Sequence, residues 1–414
     1  MSLNDIFAAT IVLASLFAYI NYRWIKWPAT IGVMALALLS SIVVVLLGKF
    51  IPGPFKKVVL LVASIDFQKI LMDFMLSFLL FAGAVQMNAK KLQKERAPVI
   101  VLSTAGTIIS AFLIASLSWC LFNLFHTPIA FVYCLLFGVI ISPTDPIAVL
   151  AILKEAKIPS SLDIKISGES LFNDGVAVVL FISIEEIART GSAQVDVLSV
   201  LKLFVQEGIG GLAWGGLLGY TGFLALRSID NYKVEILITL AIVMGGYSIA
   251  SHLHISGPLA MVVAGLITGN KVKEQVMSDL TQDYLSKFWE LIDEILNAVL
   301  FLLMGLEMLI IKIHPVVLVI GSIMVVIVIL ARLISVALPV YFLRRWIVFE
   351  KHAVAILTWG GLRGGLSVAL ALSLSSGMHK DEFVLITYIV VVFSILVQGL
   401  TIGKFARRLL RSGD

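Results

Sequence analysis

The chain has 414 residues, 60% of them hydrophobic and 14% charged, with a mean hydropathy of +1.04 and a formal net charge of +5. A soluble domain of this length needs far fewer apolar residues for its core, so the composition excludes a soluble globular protein and indicates a lipid-embedded one. The basic residues are scattered through membrane-flanking loops and form no single patch, which leaves topology as their explanation and no nucleic-acid partner.

Apolar runs of roughly 20 residues recur from end to end, each long enough to cross the hydrocarbon as a helix. They predict an all-α polytopic membrane protein of about thirteen spans with no separate soluble domain over 1–414. The spans are expected at 5–20, 29–48, 70–88, 97–122, 128–153, 164–185, 203–226, 234–252, 257–270, 291–311, 316–342, 352–374 and 382–403. The first run lacks the basic n-region and small-residue cleavage site of a secretory signal and is expected to be retained. Cys120 and Cys134 lie in or beside apolar spans and read as core residues.

With the amino terminus outside, the inner loops carry Arg23 and Lys26, then Lys90, Lys91, Lys94 and Arg96, then Lys154, Lys157 and Lys165. The pattern continues through Arg227, Lys233, Lys271, Lys273, Lys287, Arg344, Arg345 and Lys351 to a basic tail. Opposing loops hold far fewer, with Lys49, Lys56 and Lys57 a local exception, so the carboxyl terminus is expected in the cytoplasm.

The fifth span carries Ser142-Pro143-Thr144-Asp145-Pro146. Proline removes an amide donor and clashes with the preceding turn, so this pair predicts an unwound stretch near mid-membrane. Unwound backbone at that depth is tolerated only where it is buried or lines a polar cavity, and its freed carbonyls then face a cation. A plain proline kink is the alternative, against which the intramembrane acid between the prolines weighs.

The sixth span contains Gly168-Glu169-Ser170-Leu171-Phe172-Asn173-Asp174-Gly175. Polar groups are costly in lipid, so each needs a partner or a task. Ser170 and Asp174 are spaced to share one helix face, as are Glu169 and Asn173. Asp174 reads as a carboxylate that takes either a cation or a proton, as antiport requires, with a helix-pairing acid as the alternative. A hard monovalent cation takes oxygen ligands, which Asp174, Ser170, Asp145 through water and the carbonyl of Thr144 supply. Asn173 carries no proton, but its amide both donates and accepts and suits the broken backbone of span five. A single titrating acid makes one-for-one, electroneutral exchange more natural than a two-proton cycle.

Further along, Glu290, Asp293 and Glu294 open span ten and have two readings, a cation-concentrating funnel or helix-start acids favoured by the macrodipole. Span twelve carries Gly360-Gly361-Leu362-Arg363-Gly364-Gly365-Leu366-Ser367, either a second interruption or a glycine-rich packing face. If spans one to six and eight to thirteen are inverted repeats, both interrupted helices are the fifth of their half. Glu169 and Arg363 are candidates for a structural buried ion pair, and Glu307 and Arg332 offer another. All six histidines lie near span ends, which disfavours a histidine proton carrier.

Ser142 to Pro146, Gly168 to Gly175 and Gly360 to Ser367 together resemble the bacterial NhaP-type sodium/proton antiporters of the monovalent cation/proton antiporter superfamily. The resemblance spans nearly the whole membrane domain. It implies two inverted six-helix repeats with crossed broken helices at spans five and twelve, and a secondary active transporter, not an enzyme. It also implies a moving core, here about 70–185 and 291–403, and a dimerisation scaffold of about 5–48 and 203–270, with alternating access in a homodimer. By the family pattern Asp174 carries the ion or proton and Thr144, Asp145 and Ser170 complete the Na+ site. Asn173 holds the crossed helices, and Glu169 pairs with Arg363. A bacterial or archaeal inner membrane is implied, with no cofactor beyond the transported cation. Some relatives carry a glutamate in span three, where this chain has Ala82. The chain ends shortly after its last span, so no large cytoplasmic regulatory domain is expected.

Three rivals keep parts of this reading. Potassium/proton or mixed sodium, potassium and lithium exchange retains the fold. An intramembrane aspartyl protease casts Asp145 and Asp174 as its acid pair but leaves the Arg363 motif unexplained. A passive cation channel also uses broken helices but does not couple ions to protons.

Overall fold

A computed structural model of the chain describes residues 3–48, 50, 53, 59, 60, 62, 65–190, 197–272, 278–312 and 314–411. Among these residues lie thirteen helical spans and no strand. Lipid offers backbone amides no hydrogen-bond partner, so helices that satisfy them internally are the form these apolar runs must take.

The first spans are α1 (Leu3–Ile20), α2 (Ala29–Gly48), α3 (Phe67–Gln86) and α4 (Arg96–Leu124). The next, α5, comes in two pieces, Phe131–Ile141 and Ile147–Glu155. Then follow α6 (Ser160–Thr190), α7 (Val197–Arg227), α8 (Tyr232–His252), α9 (Gly257–Ile267), α10 (Asp279–Glu307) and α11 (Pro315–Leu343). α12 is also in two pieces, Ala353–Trp359 and Gly365–Ser373, and α13 runs over Lys380–Leu410. Lys49, Lys56 and Lys57 lie outside the described residues.

Both expected interruptions are present, and each is the fifth helix of its half, α1–α6 and α8–α13. An odd number of crossings separates α1 from α8, so the halves run in opposite senses, as inverted repeats must. Several helices are longer than the sequence alone suggested: α10 starts at Asp279, where 291 was expected. Charged residues such as Asp283 and Lys287 conceal its first turns from a search for apolar runs.

Two sets of helix contacts are extensive. In one, α4 packs on the first half of α5 and on α11, α11 packs on α13, and α6 packs on the first half of α5. In the other, α10 packs on α2, α3 and α1, while α3 packs on α9 and α9 on α7. The α7–α9 contact depends on small residues: a Cβ on Gly215 would meet the backbone of Ala260. The expected division placed α3 and α10 with α4–α6 and α11–α13. In the structure α10 packs mainly on α2 and α3, and α3 mainly on α9.

Candidate functional site

The two interruptions meet. The α5 helix stops at Ile141 because Pro143 and Pro146 cannot continue its hydrogen-bond ladder. The Asp145 N–H donates instead to the Leu362 carbonyl in the α12 break, at 2.7 Å. In return, Arg363 Nη1 donates to the carbonyls of Ser142 and Pro143, the latter at 2.9 Å. A fully buried guanidinium thus takes up carbonyls that the prolines strand, and these charge-assisted bonds are stronger than neutral ones. The Arg363 N–H donates to Ser394 Oγ at 3.0 Å, and Ser394 Oγ donates to Gln398 Oε1 at 2.8 Å. Gly364 is required at the crossing, since a Cβ there would enter the Asp145 carboxylate.

α6 lies across this junction. Asn173 Nδ2 donates to Thr144 Oγ1 at 2.8 Å, and Ser170 Oγ donates to the Thr144 carbonyl while lying 3.2 Å from Thr144 Oγ1. Asn173 therefore bonds to the broken segment, the placement its amide suggested. The Thr144 carbonyl and Ser170 hydroxyl, expected to face a cation, satisfy each other in this conformation. A carbonyl has two lone pairs, so the engaged oxygen retains one acceptor position.

Asp145 and Asp174 are half-buried and line one cavity of about 1070 Å³. They lie close enough to interact electrostatically. The cavity runs from the crossing to the end of the molecule bearing Asn88, Lys91 and Lys154, and α10 contributes Glu290, Asp293, Glu294 and Asn297 to its wall. These acids are three turns or more inside α10, because that helix begins at Asp279. The helix-start reading of Glu290, Asp293 and Glu294 is thereby overturned, since the macrodipole acts only on the first turn. Ala82 is fully buried in the apolar core.

The ion pairs differ from those the sequence suggested. Glu169 is hydrogen-bonded to Arg332, not to Arg363: both carboxylate oxygens accept from its two terminal nitrogens, one at 2.9 Å. Arg332 also donates to the Leu357 carbonyl at 3.3 Å. The Glu307–Arg332 pair is not formed, as Arg332 is committed to Glu169 and Glu307 lies at the far end of α10. Arg363 donates instead to the α5 carbonyls of Ser142 and Pro143.

One polar cluster had no sequence signal. Lys165, fully buried near the start of α6, lies 3.2 Å from Glu95 and 3.0 Å from Glu350, which also accepts from Ser161 Oγ. Its two acids sit in loops remote from each other in sequence, so spacing could not have joined them. The histidines stay at the helix ends, and His126, His254, His352 and His379 have left-handed backbone there.

A profile described as sodium/hydrogen exchanger, transmembrane, matches residues 11–408. The chain belongs to the sodium/hydrogen exchanger family. Two relatives of this exchanger illustrate its neighbourhood. The Na(+)/H(+) antiporter NhaP of Pseudomonas aeruginosa is 48% identical over 411 residues, 98% of this chain and 96% of that protein. The Na(+)/H(+) antiporter NhaH of Halobacillus dabanensis is 34% identical over 348 residues, 83% and 84% of the two chains. The exchanger's fold matches that of the sodium proton antiporter MjNhaP1 from Methanocaldococcus jannaschii with a TM-score of 0.77, covering 99% of this chain and 100% of the other at 20% identity. The NhaP-type resemblance seen in the three motifs is thus met across the whole chain.

Proposed function

We propose that this exchanger couples sodium and proton movement electroneutrally, with the two ions competing for Asp174. The observation that carries the reading is the placement of two carboxylates, Asp145 and Asp174, on one cavity at the crossing of two broken helices. Like charges confined together repel, and either a proton or a cation relieves that repulsion. Occupancy by one ion therefore removes the reason to hold the other. Asp174 is the carrier, with Asp145 beside it and the oxygens of Thr144 and Ser170 close to the arriving cation. Asn173, Glu169 and Arg363 are structural. The sodium assignment is supported by the relatives, which are named Na(+)/H(+) antiporters.

In this reading the protein is a secondary active transporter of an inner membrane, with its amino terminus outside and carboxyl terminus in the cytoplasm. The cavity then opens to the cytoplasm, because the Lys91 and Lys154 loops lie on the positive side. Alternating access follows from movement of α4–α6 and α11–α13 against the remaining helices in each protomer of a homodimer. The Arg363 motif supports a transporter over a protease, since it stabilises an irregular backbone that a hydrolytic acid pair does not need.

Sealed liposomes containing the protein and a pH-sensitive dye test the proposal. Sodium is expected to collapse a preset proton gradient with the native chain and to fail with Asp174→Asn. Potassium acting in place of sodium contradicts the ion assignment, and proton movement with neither ion contradicts antiport.

A further inference from the structure

The cavity has two facing polar walls. One is the α5 break and α6, with Asp145 and Asp174; the other is α10. Glu290, Asp293, Glu294 and Asn297 follow the spacing of a single helix face. Exposure falls along that face, from the exposed Glu290 and Glu294 through the half-buried Asp293 to Asn297, which is 2% exposed.

Asn297 Nδ2 donates to the Asp293 carbonyl at 2.8 Å and to its carboxylate at 3.1 Å, which fixes the position of that carboxylate. The remaining amide oxygen, Asn297 Oδ1, is buried without a hydrogen-bond partner. Ser367 Oγ, in a residue 1% exposed at the start of the second half of α12, also has none and lines the same cavity. Buried oxygens without partners are costly, and a cation or a water in the cavity would supply one. Beyond Asn297 the α10 wall turns apolar, with Leu300 occupying the space beside Gly365. Asn297 is therefore the last polar rung before the crossing. The α3 wall supplies no acid, only residues such as Leu79, Gly83 and Gln86.

We propose that Asp293, Asn297 and Ser367 form a second cation station, which holds a monovalent alkali cation before transfer to Asp145 and Asp174. A carboxylate, an amide oxygen and a hydroxyl are hard oxygen donors suited to such an ion. The single carboxylate favours a monovalent charge. The inference rests on the reading of Asp174 as the carrier. Because α10 packs with α1–α3, the station belongs mainly to the helices opposite the carrier acids, and the cation changes helix group as it moves on.

The test uses the full chain. Asp293→Asn is expected to raise the sodium concentration for half-maximal exchange in liposomes by about tenfold, and Ser367→Ala by about threefold. Thallium(I), used as an electron-dense stand-in, is expected to give density beside Asp293 in the structure of the Asp174→Asn protein, and to lose it in the Asp174→Asn, Asp293→Asn double variant. An unshifted half-saturation in Asp293→Asn overturns the station, including the case where only thermal stability falls. So does the absence of thallium beside Asp293 when Asp174 is Asn. Neither result bears on Asp174 itself, whose role is read from the turnover of Asp174→Asn alone.

Discussion

Arg332 and Arg363 have different tasks, although both are arginines buried at the level of the crossing. Arg332 neutralises Glu169 through a two-pronged contact, whereas Arg363 serves backbone carbonyls. Breaking a buried pair by removing one partner leaves a charge uncompensated, at a cost of about 3–5 kcal/mol, while replacing both by apolar residues is often close to neutral. Arg332→Ala is therefore expected to lower thermal stability in detergent strongly. The double change Arg332→Met, Glu169→Leu is expected to recover more than half of that loss. Equal losses in the two proteins would mean that Glu169 is not the partner that matters. Asp145, Asp174 and Asn173 were legible in the sequence because polar groups in apolar spans must have a purpose. The partner of Glu169 was not, since spacing gives depth along a helix but not which of two arginines on other helices turns toward it.

At the scale of the element, proline and glycine made both interruptions readable, while α10 was misjudged at its start. The helices that most escape an apolar criterion are informative: α6 and α10 are long helices that are not among the clearly apolar spans, and α5 and α12 are interrupted. These four line the cavity together with the apolar α1–α3, and they supply its acids. Polarity that blurs a span in sequence is the same polarity that builds the site. The Lys165 cluster ties the start of α6 to the loops before α4 and α12. Burial alone would push the Glu350 carboxyl up, but hydrogen bonds from Ser161, its own backbone and Lys165, with the lysine charge, hold it below the ordinary 4.5. A lowered folded value means that the native state binds this proton less readily than the unfolded chain. The stabilisation is thus complete above the ordinary value and is lost as pH falls through the folded one. Glu350→Gln is expected to lower the melting temperature at about pH 7, and the difference from the native chain should shrink as the pH falls below the ordinary 4.5. A difference that grows on acidification would reverse the sign of this account.

For the whole molecule, the odd number of crossings carries the topology. Reporter tags on the two termini are expected to respond from opposite sides of the membrane, with the carboxyl-terminal tag cytoplasmic. Tags on the same side would remove one crossing and with it the opposed sense of the two halves. The fold class, crossed interruptions and family were legible because three motifs in order leave few alternatives. Which helices α3 and α10 pack on was not, because spacing along a span does not name its tertiary neighbours.

Competition between sodium and a proton for one carboxylate is the central claim, and proton release on sodium addition tests it directly. Purified protein in weakly buffered detergent, brought to a pH at which the site is protonated, is expected to release protons when sodium is added, saturating with sodium concentration. Asp174→Asn is expected to release almost none. Equal release from both proteins, or none from the native chain across the pH range in which it exchanges, would contradict the account.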